Sequence, residues 1–184
     1  MTTEIQKEFT YNAGVYFNNT LVINNFVINL HMDVETDNVR EQNVAMERLG
    51  YFIDEVLDST FFVERTQTEV IEKYINAGLK VALLPEEPYD QIFGMILLLK
   101  LNAIMEKRLI INDLTIFSKL SDGVKFNVSL EMAEAIFSGN HWWNNMSCNV
   151  VHQEEKSKKI VQLFSDEWTK IGLSWKDKGK SEGK

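Results

Sequence analysis

Two stretches of alternating hydrophobic and polar residues predict β-hairpins on either side of the longest helical patterns. In the first hairpin, over about residues 7–35, Asn18-Asn19 separates two alternating runs. A two-residue Asn-Asn turn suits type I′ geometry because asparagine tolerates positive φ. With the turn centred there, three apolar pairs share one face of the ribbon: Val15 and Val22, Tyr11 and Phe26, Phe9 and Ile28. The polar positions of the second strand, including Asn29 and His31, then lie on the opposite face.

The second hairpin, over about residues 109–130, carries a stronger turn signal, Asp122-Gly123. A two-residue turn at this point places Phe117 across from Val128. The same alternation predicts one apolar row along the strand that follows the turn: Val124, Phe126, Val128 and Leu130.

Apolar residues spaced by three and four predict helices over about residues 38–57, 68–77 and 87–107. Asp37 or Thr36 suits the N-cap of the first helix, and Gly78 suits the end of the second. Pro85 and Pro88 open the third helix. Its acidic opening (Glu86, Glu87, Asp90) complements the helix dipole.

The third helix is apolar nearly all round from Ile92 to Met105, with Lys100 and Asn102 as exceptions, so we expect it to be the most buried element.

Shorter sequence patterns before and after this helix predict further elements. The FFVE stretch at 61–64 suits a strand or simply extended chain, LKVALL at 79–84 weakly favours a strand, and residues 130–137 suit a short helix. A last helix has an apolar stripe made of Ile160, Val161, Phe164, Trp168 and Ile171.

These elements predict an α+β fold in which an antiparallel sheet from the two hairpins packs against the three helices, with a C-terminal amphipathic helix added. At 184 residues, the length and the absence of a linker predict a single domain over 1–175. The lysine-rich residues 176–184 predict a disordered polar tail.

Composition narrows the classes of function. A net charge of −8 and a pI near 5.0 repel phosphate backbones, so nucleic acid is an unlikely partner. No apolar run approaches the roughly 20 residues that span a bilayer, so we expect no membrane contact and a cytoplasmic protein. The single cysteine, Cys148, excludes an internal disulfide. Abundant Asn, Ile and Lys suggest an AT-rich genome such as that of a bacteriophage, in which case the location is the host cytoplasm.

Few residues suggest reactive chemistry. His31 on a polar strand face reads as a surface or interface histidine. His141, Cys148 and His152 allow a metal cluster to be drawn, but their spacing fits no ligand pattern, and packing or solvation is the favoured interpretation. No nucleophile has a supporting context, and no glycine-rich phosphate loop is present. We therefore predict no catalytic residue, no metal and no cofactor.

Several segments resemble the tunnelling fold of 6-pyruvoyl- and 6-carboxy-tetrahydropterin synthases. KEFTYNAGVYF is similar to that family's first strand, VINLHMDVET to its second, and LPEEPYDQIFGMILLL to the opening of its second helix. The order hairpin, helices, hairpin is also the family's, and the resemblance covers roughly residues 7–130. It implies four-stranded sheets that join edge to edge into barrels.

The departures from that family concern its active site. The family binds zinc through three histidines, whereas here only His31 remains on the second strand and Gly14 stands near the first-strand position. The pterin-anchoring motif reads TIFSK (115–119), without a carboxylate, and the family's nucleophilic cysteine has no counterpart. Only His31 and Glu87 carry over as tentative ligand-binding residues.

The sequence thus favours a non-catalytic, self-associating binding or accessory protein, with a bacteriophage as the suggested source. Its expected partners are further copies of itself, a protein, or a small purine- or pterin-like ligand. Two alternatives stay open. One is a tunnelling-fold enzyme or ligand-binding protein acting on a pterin or purine at subunit interfaces, and the other is a virion or assembly component.

Overall fold

A computed structural model describes residues 3–149 and 164–176. Within these ranges the strands are β1 (Glu4–Phe17), β2 (Thr20–Val34), β3 (Phe61–Glu64), β4 (Val81–Leu84), β5 (Leu109–Ser118) and β6 (Phe126–Ser129). The α-helices are α1 (Val39–Tyr51), α2 (Thr68–Asn76), α3 (Asp90–Met105), α4 (Leu130–Ile136) and α5 (Phe164–Lys170). A π-helical turn (Phe52–Leu57) continues α1. The strands form one sheet in the order β4-β3-β1-β2-β5-β6.

The first hairpin is confirmed in its turn and its register. Asn18 and Asn19 have φ angles of 49° and 57°, which the two central positions of a type I′ turn require. The opposed pairs are those expected from the sequence: Val15 and Val22, Tyr11 and Phe26, Phe9 and Ile28. This face is turned toward the core, since Tyr11, Phe26 and Ile28 are buried while His31 on the opposite face is exposed.

The register predicted for the second hairpin is wrong. Val128 lies opposite Leu114 rather than Phe117. The Asp122-Gly123 turn itself forms, with positive φ at both residues and a hydrogen bond from the Val124 N–H to the Ser121 carbonyl. The strands do not flank it directly, because Ser118 and Ser121 make a capping box that turns the chain into a 3-10 helix, Lys119–Ser121, before the turn. The predicted apolar row is also broken: Val124 is 53% exposed, and Leu130 begins α4 instead of extending β6.

The sheet is mixed, so the expectation of a purely antiparallel sheet needs correction. The two hairpins supply four antiparallel strands, and β3 pairs in parallel with both β1 and β4. Parallel neighbours need a crossover, which α2 provides between β3 and β4. Gly14 allows β3 to dock, because a Cβ at this position would lie 2.2 Å from the Phe61 ring.

The main core lies between the sheet and the helices α1 and α3. Helix α3 is the most buried element, as expected, although it begins at Asp90 rather than near residue 87. Phe93 on α3 packs against the rings of Tyr11, Phe26 and Phe62. The N-cap of the first helix is Asn38 rather than Asp37 or Thr36, because Asn38 accepts hydrogen bonds from the N–H groups of Arg40 and Glu41.

The two polar exceptions within α3 are both used inside the fold. The Asn102 side chain exchanges two hydrogen bonds with the backbone of Ile111, which ties α3 to β5. Lys100 is fully buried. Its partners lie in the loop that follows α4.

The C-terminal segment 164–176 docks on buried Arg48. The Arg48 guanidinium donates to the carbonyls of Ile104 and Leu173 and lies 3.7 Å from the centre of the Trp175 ring. Of the predicted stripe, Trp168 is buried and Ile171 is partly exposed, whereas Ile160 and Val161 lie outside the described residues. Residues 177–184 also lie outside them, so the polar tail stays a prediction, as does the extent of the single domain.

Candidate functional site

The sheet has an outer face that the large helices do not cover. Helix α2 covers this face over β3, β4 and the Tyr16 end of β1, where Val63, Ile71 and Val81 form a small second core. Over the rest of β1, β2, β5 and β6 the outer face is partly or fully exposed. Its side chains are polar around His31 and include apolar ones near the first hairpin turn, where Ile23 is 62% exposed. An exposed face of this kind is available for binding.

A groove of about 470 Å³ lies on this outer face. Its lining combines amide, hydroxyl, imidazole, carboxylate and ammonium groups: Gln6, Lys7, Glu8, Asn29, Leu30, His31, Thr115 and Lys125. The register explains why these residues meet, since Gln6 faces His31, and Asn29 lies between Glu8 and Thr115. Such a lining offers both donors and acceptors for hydrogen bonds.

His31 lies in the lining of this groove, next to an irregularity in the β2–β5 ladder. The register shifts between His31 and Met32, so that His31 faces Asp113 while Met32 faces Ile111. Asn112, the extra residue, donates through its side chain to Asp33 at 2.7 Å. A bulge of this kind re-aims the side chains around it.

Glu87 lies at the opposite end of the sheet from His31. It belongs to the turn before α3, and its carboxylate raises the pKa of the neighbouring Tyr89 by accepting a hydrogen bond from the hydroxyl. The Tyr89 ring contacts Phe17 at the hairpin turn. Residues 20–31 of β2 separate that turn from His31, a span of about 35 Å at the rise of an extended strand. One protomer therefore does not bring His31 and Glu87 into a common site.

Asp90 lies in the first turn of α3, where its charge suits the helix dipole, and it is also part of a buried polar cluster. Its Oδ1 accepts a hydrogen bond from the Ser118 hydroxyl at 2.9 Å. Three buried polar atoms of Tyr11 (OH), Asn24 (Nδ2) and Asp90 (Oδ2) have no hydrogen-bond partner among the described residues. Burial raises the pKa of Asp90, and burial together with the Asp90 charge raises the pKa of Tyr11. The sequence does not distinguish Asp90 from the neighbouring Glu86 and Glu87, so no local signal indicated this role.

The aromatic loop around Trp142 and Trp143 holds the remaining candidates. His141 stacks on Trp143 with ring centres 4.4 Å apart. The buried Cys148 thiol donates to Glu167, and burial with the Glu167 charge raises the pKa of Cys148 to about 11, so the reactive thiolate is disfavoured. His152 lies outside the described residues. Among those described, no three His, Cys, Asp or Glu side chains are grouped to hold a metal ion.

Comparisons with known proteins give structural likenesses only. No protein family and no curated protein matches the chain. An uncharacterised protein from Wolinella succinogenes is similar, with a TM-score of 0.48, 12% identity, and coverage of 71% of this chain and 99% of that one. The 6-pyruvoyl tetrahydropterin synthase from Plasmodium vivax has a TM-score of 0.40, 14% identity, and coverage of 70% and 97%. The enzyme from Plasmodium falciparum gives 0.39, 15%, 69% and 96%.

The chain weakly resembles the tunnelling fold. This confirms the weak resemblance noted from the sequence, and it concerns the course of the backbone alone. Likenesses with TM-scores below 0.5 carry no argument about ligand or activity, so those are argued from this chain's own residues. In the described ranges, no helix is long and apolar enough to cross a membrane.

Proposed function

We propose that the protein is a non-catalytic, self-associating binding protein. The open edge of β1 joins the β6 edge of a second copy, and the groove containing His31 binds a small polar ligand. The observation that carries this proposal is the long unpaired edge of β1. Its cellular setting, the cytoplasm of a cell or of a phage-infected host, is part of the same proposal.

Strand β1 is paired along only one side for most of its length. It pairs with β2 from Glu4 to Phe17 but with β3 only at Gly14 and Val15. The N–H groups of Asn12 and Gly14 point to the β3 side, where they donate to Asp58 and to the carbonyl of Thr60. Because alternate residues of a strand point their backbone groups the same way, Gln6, Glu8 and Thr10 direct theirs to the open edge. Among the described residues, no strand covers it.

The directions of the strands suit a head-to-tail assembly. Strand β1 is antiparallel to β2, β2 to β5, and β5 to β6, so β1 and β6 run in opposite directions. The β1 edge of one copy and the β6 edge of the next therefore form an antiparallel seam. Repetition of the same contact closes into a ring when the rotation is suitable, and closure removes exposed edges.

The groove lies beside this seam. Gln6, Lys7 and Glu8 belong to β1, and Lys125 immediately precedes β6. A planar heterocycle such as a purine or pterin presents donors and acceptors on its edges, which complement the Asn29, Thr115 and Glu8 side chains. A ligand of this class is thus recognised without chemical change. Assembly into a virion is a variant of the same proposal, and ring formation supports it.

A proline at position 8 tests the edge contact. Glu8→Pro removes an N–H from the open edge while the ladder to β2 keeps its bonds, because proline is tolerated on strand edges. Glu8→Ala is the matched control that removes the same charge and keeps the N–H. We expect sedimentation velocity to show an oligomer for the wild type and Glu8→Ala but a smaller species for Glu8→Pro. A monomeric wild type at micromolar concentration contradicts the proposal.

A ligand screen tests the groove. The melting temperature is measured with pterins, guanine derivatives and zinc. We expect a heterocycle to raise it, and Asn29→Ala to abolish the shift. Glu87→Ala, at the far end of the sheet, is the control. Chromatography of the incubated heterocycle distinguishes binding from catalysis: an unchanged compound supports the proposal, and a product supports the enzymatic alternative. Absence of any shift contradicts the groove assignment.

A further inference from the structure

Lys100 is enclosed by oxygen atoms of a single loop. Its Nζ lies 3.0 Å from the Trp142 carbonyl, 2.9 Å from the Asn145 carbonyl, 3.1 Å from Asn145 Oδ1 and 2.7 Å from the Ser147 carbonyl. The side chain is fully buried in the middle of α3. Backbone carbonyls buried away from water need donors, and this one amino group supplies the donors for three loop residues.

Other groups around Lys100 help to position the same loop. The Phe52 ring lies 5.7 Å from the ammonium on one side. Glu167 of α5 approaches from the other side, accepting hydrogen bonds from the Ser147 hydroxyl and the Cys148 N–H. Burial lowers the pKa of Lys100 to about 7, with Cys148 and Glu167 opposing that shift. The loop is therefore bound from α3 and from α5 at once.

The loop in turn covers an edge of the sheet. Strand β4 is the last strand on its side. The carbonyls of Lys80 and Leu84 point to β3, where they accept from Phe61 and Arg65. By alternation, the Leu83 carbonyl points outward, away from β3. The Trp142 indole N–H donates to this carbonyl at 2.7 Å.

We propose that Lys100 and its loop partners Trp142, Asn145 and Ser147 form a latch that covers the β4 edge and blocks strand pairing there by a second copy. The amino group holds the loop on α3, and the loop holds Trp142 on Leu83. Exposed strand edges pair with other chains unless they are covered, and a loop is one way of covering them. The latch leaves β1 and β6 as the edges free to pair. It stands on its own contacts and does not require the β1–β6 seam.

Lys100→Met tests the latch because it removes the amino group and keeps a long apolar side chain. NMR exchange of the Trp142 indole N–H, assigned with Trp142→Phe, is expected to be at least about tenfold faster in Lys100→Met, since several hydrogen bonds are lost together. The native mass is expected to shift toward larger species. Trp143→Phe is the matched control, because it removes an indole hydrogen bond of the same loop to Phe137 and not to β4.

Two further variants, Trp142→Phe and Lys100→Ala, test the same contacts in other ways. If Lys100→Met does not fold, Trp142→Phe retains Lys100 and is expected to enlarge the native mass by itself. In Lys100→Ala, ethylammonium is expected to restore the slow indole exchange, whereas tetramethylammonium, which donates no hydrogen bond, is not. The larger species are expected to persist when Glu8→Pro is added, because they use the other edge. Unchanged indole exchange in folded Lys100→Met, or an unchanged mass in Trp142→Phe, overturns the proposal.

Discussion

Buried polar side chains hold together segments that are far apart in the sequence. Lys100 binds the loop 142–147, Arg48 binds the C-terminal segment, and Asp90 binds Ser118 at the end of β5. Each lies in or next to apolar surroundings, where an unsatisfied polar group is costly and a satisfied one fixes a single arrangement. At the residue scale, these three side chains determine how the connecting segments are arranged on the core.

The lowered pKa of Lys100 predicts a pH dependence of stability. At pH values between the pKa of Lys100 in the folded chain, about 7, and its ordinary pKa of 10.5, the unfolded chain binds more protons than the folded one. The free energy of unfolding therefore rises with pH in this window, by up to about 1.4 kcal/mol per pH unit. Urea unfolding of the wild type and Lys100→Met at pH 7, 8 and 9 measures it. Plots of the free energy of unfolding against pH are expected to differ in slope between the two proteins. Parallel plots contradict the lowered pKa of Lys100.

Arg48→Met is expected to lower the free energy of unfolding by about 2–3 kcal/mol, because the Ile104 and Leu173 carbonyls and Glu106 lose a charged donor. Arg48 is 2% exposed and lies between the rings of Trp168 and Trp175. Arg108→Met is the control, because Arg108 also contacts Trp175 but its side chain is 27% exposed. Its loss is expected to cost less than about 1 kcal/mol. Urea unfolding measures both, and equal losses contradict this account.

At the element scale, close approach decides where a helix needs glycine. A Cβ at Gly94 of α3 would lie 2.8 Å from Ile116 of β5, whereas a Cβ at Gly50 of α1 would meet nothing within 4 Å. Gly50→Ala is therefore expected to stabilise the fold by about 0.5–1 kcal/mol through helix propensity. Gly94→Ala is expected to destabilise it by about 1–2 kcal/mol through overpacking. Thermal unfolding of both variants measures the difference, and a similar gain in both contradicts the close packing of α3 on β5.

The elements that the sequence predicted best depend on local signals. The first hairpin follows from Asn18-Asn19 and from alternation in both strands, which agree on one register. The Asp122-Gly123 turn of the second hairpin forms as predicted, but its register was misjudged because the Ser118–Ser121 capping box inserts a 3-10 helix between β5 and the turn. The parallel pairing of β3 and β4 was missed because four-residue strands carry too little alternation to indicate a direction.

The candidate site was only partly predictable. His31 could be assigned to the polar face of β2, but the groove around it also uses β1, β5 and Lys125, which are distant in the sequence. The role of Lys100 depends on contacts with a loop 42 or more residues away, and the role of Asp90 depends on its contact with Ser118. No local pattern indicates such partners.

At the scale of the whole molecule, the sheet has two kinds of edge. The β4 edge is covered through Trp142, while the β1 edge from Glu4 to Tyr11 has no neighbour among the described strands. Short edge strands limit unwanted pairing, but β1, with 14 residues, is too long for that remedy. Pairing between copies of the chain satisfies the open backbone groups and places the groove beside the contact.

Amide exchange along β1 tests the self-association most directly. Glu8 and Thr10 direct their N–H groups to the open edge, whereas those of the intervening residues face β2. Residue-resolved exchange is therefore to be measured at protein concentrations above and below the association midpoint. We expect the Glu8 and Thr10 amides to be protected only in the associated state, with Phe9 protected in both. Rapid exchange of Glu8 and Thr10 at every concentration would contradict the β1 seam.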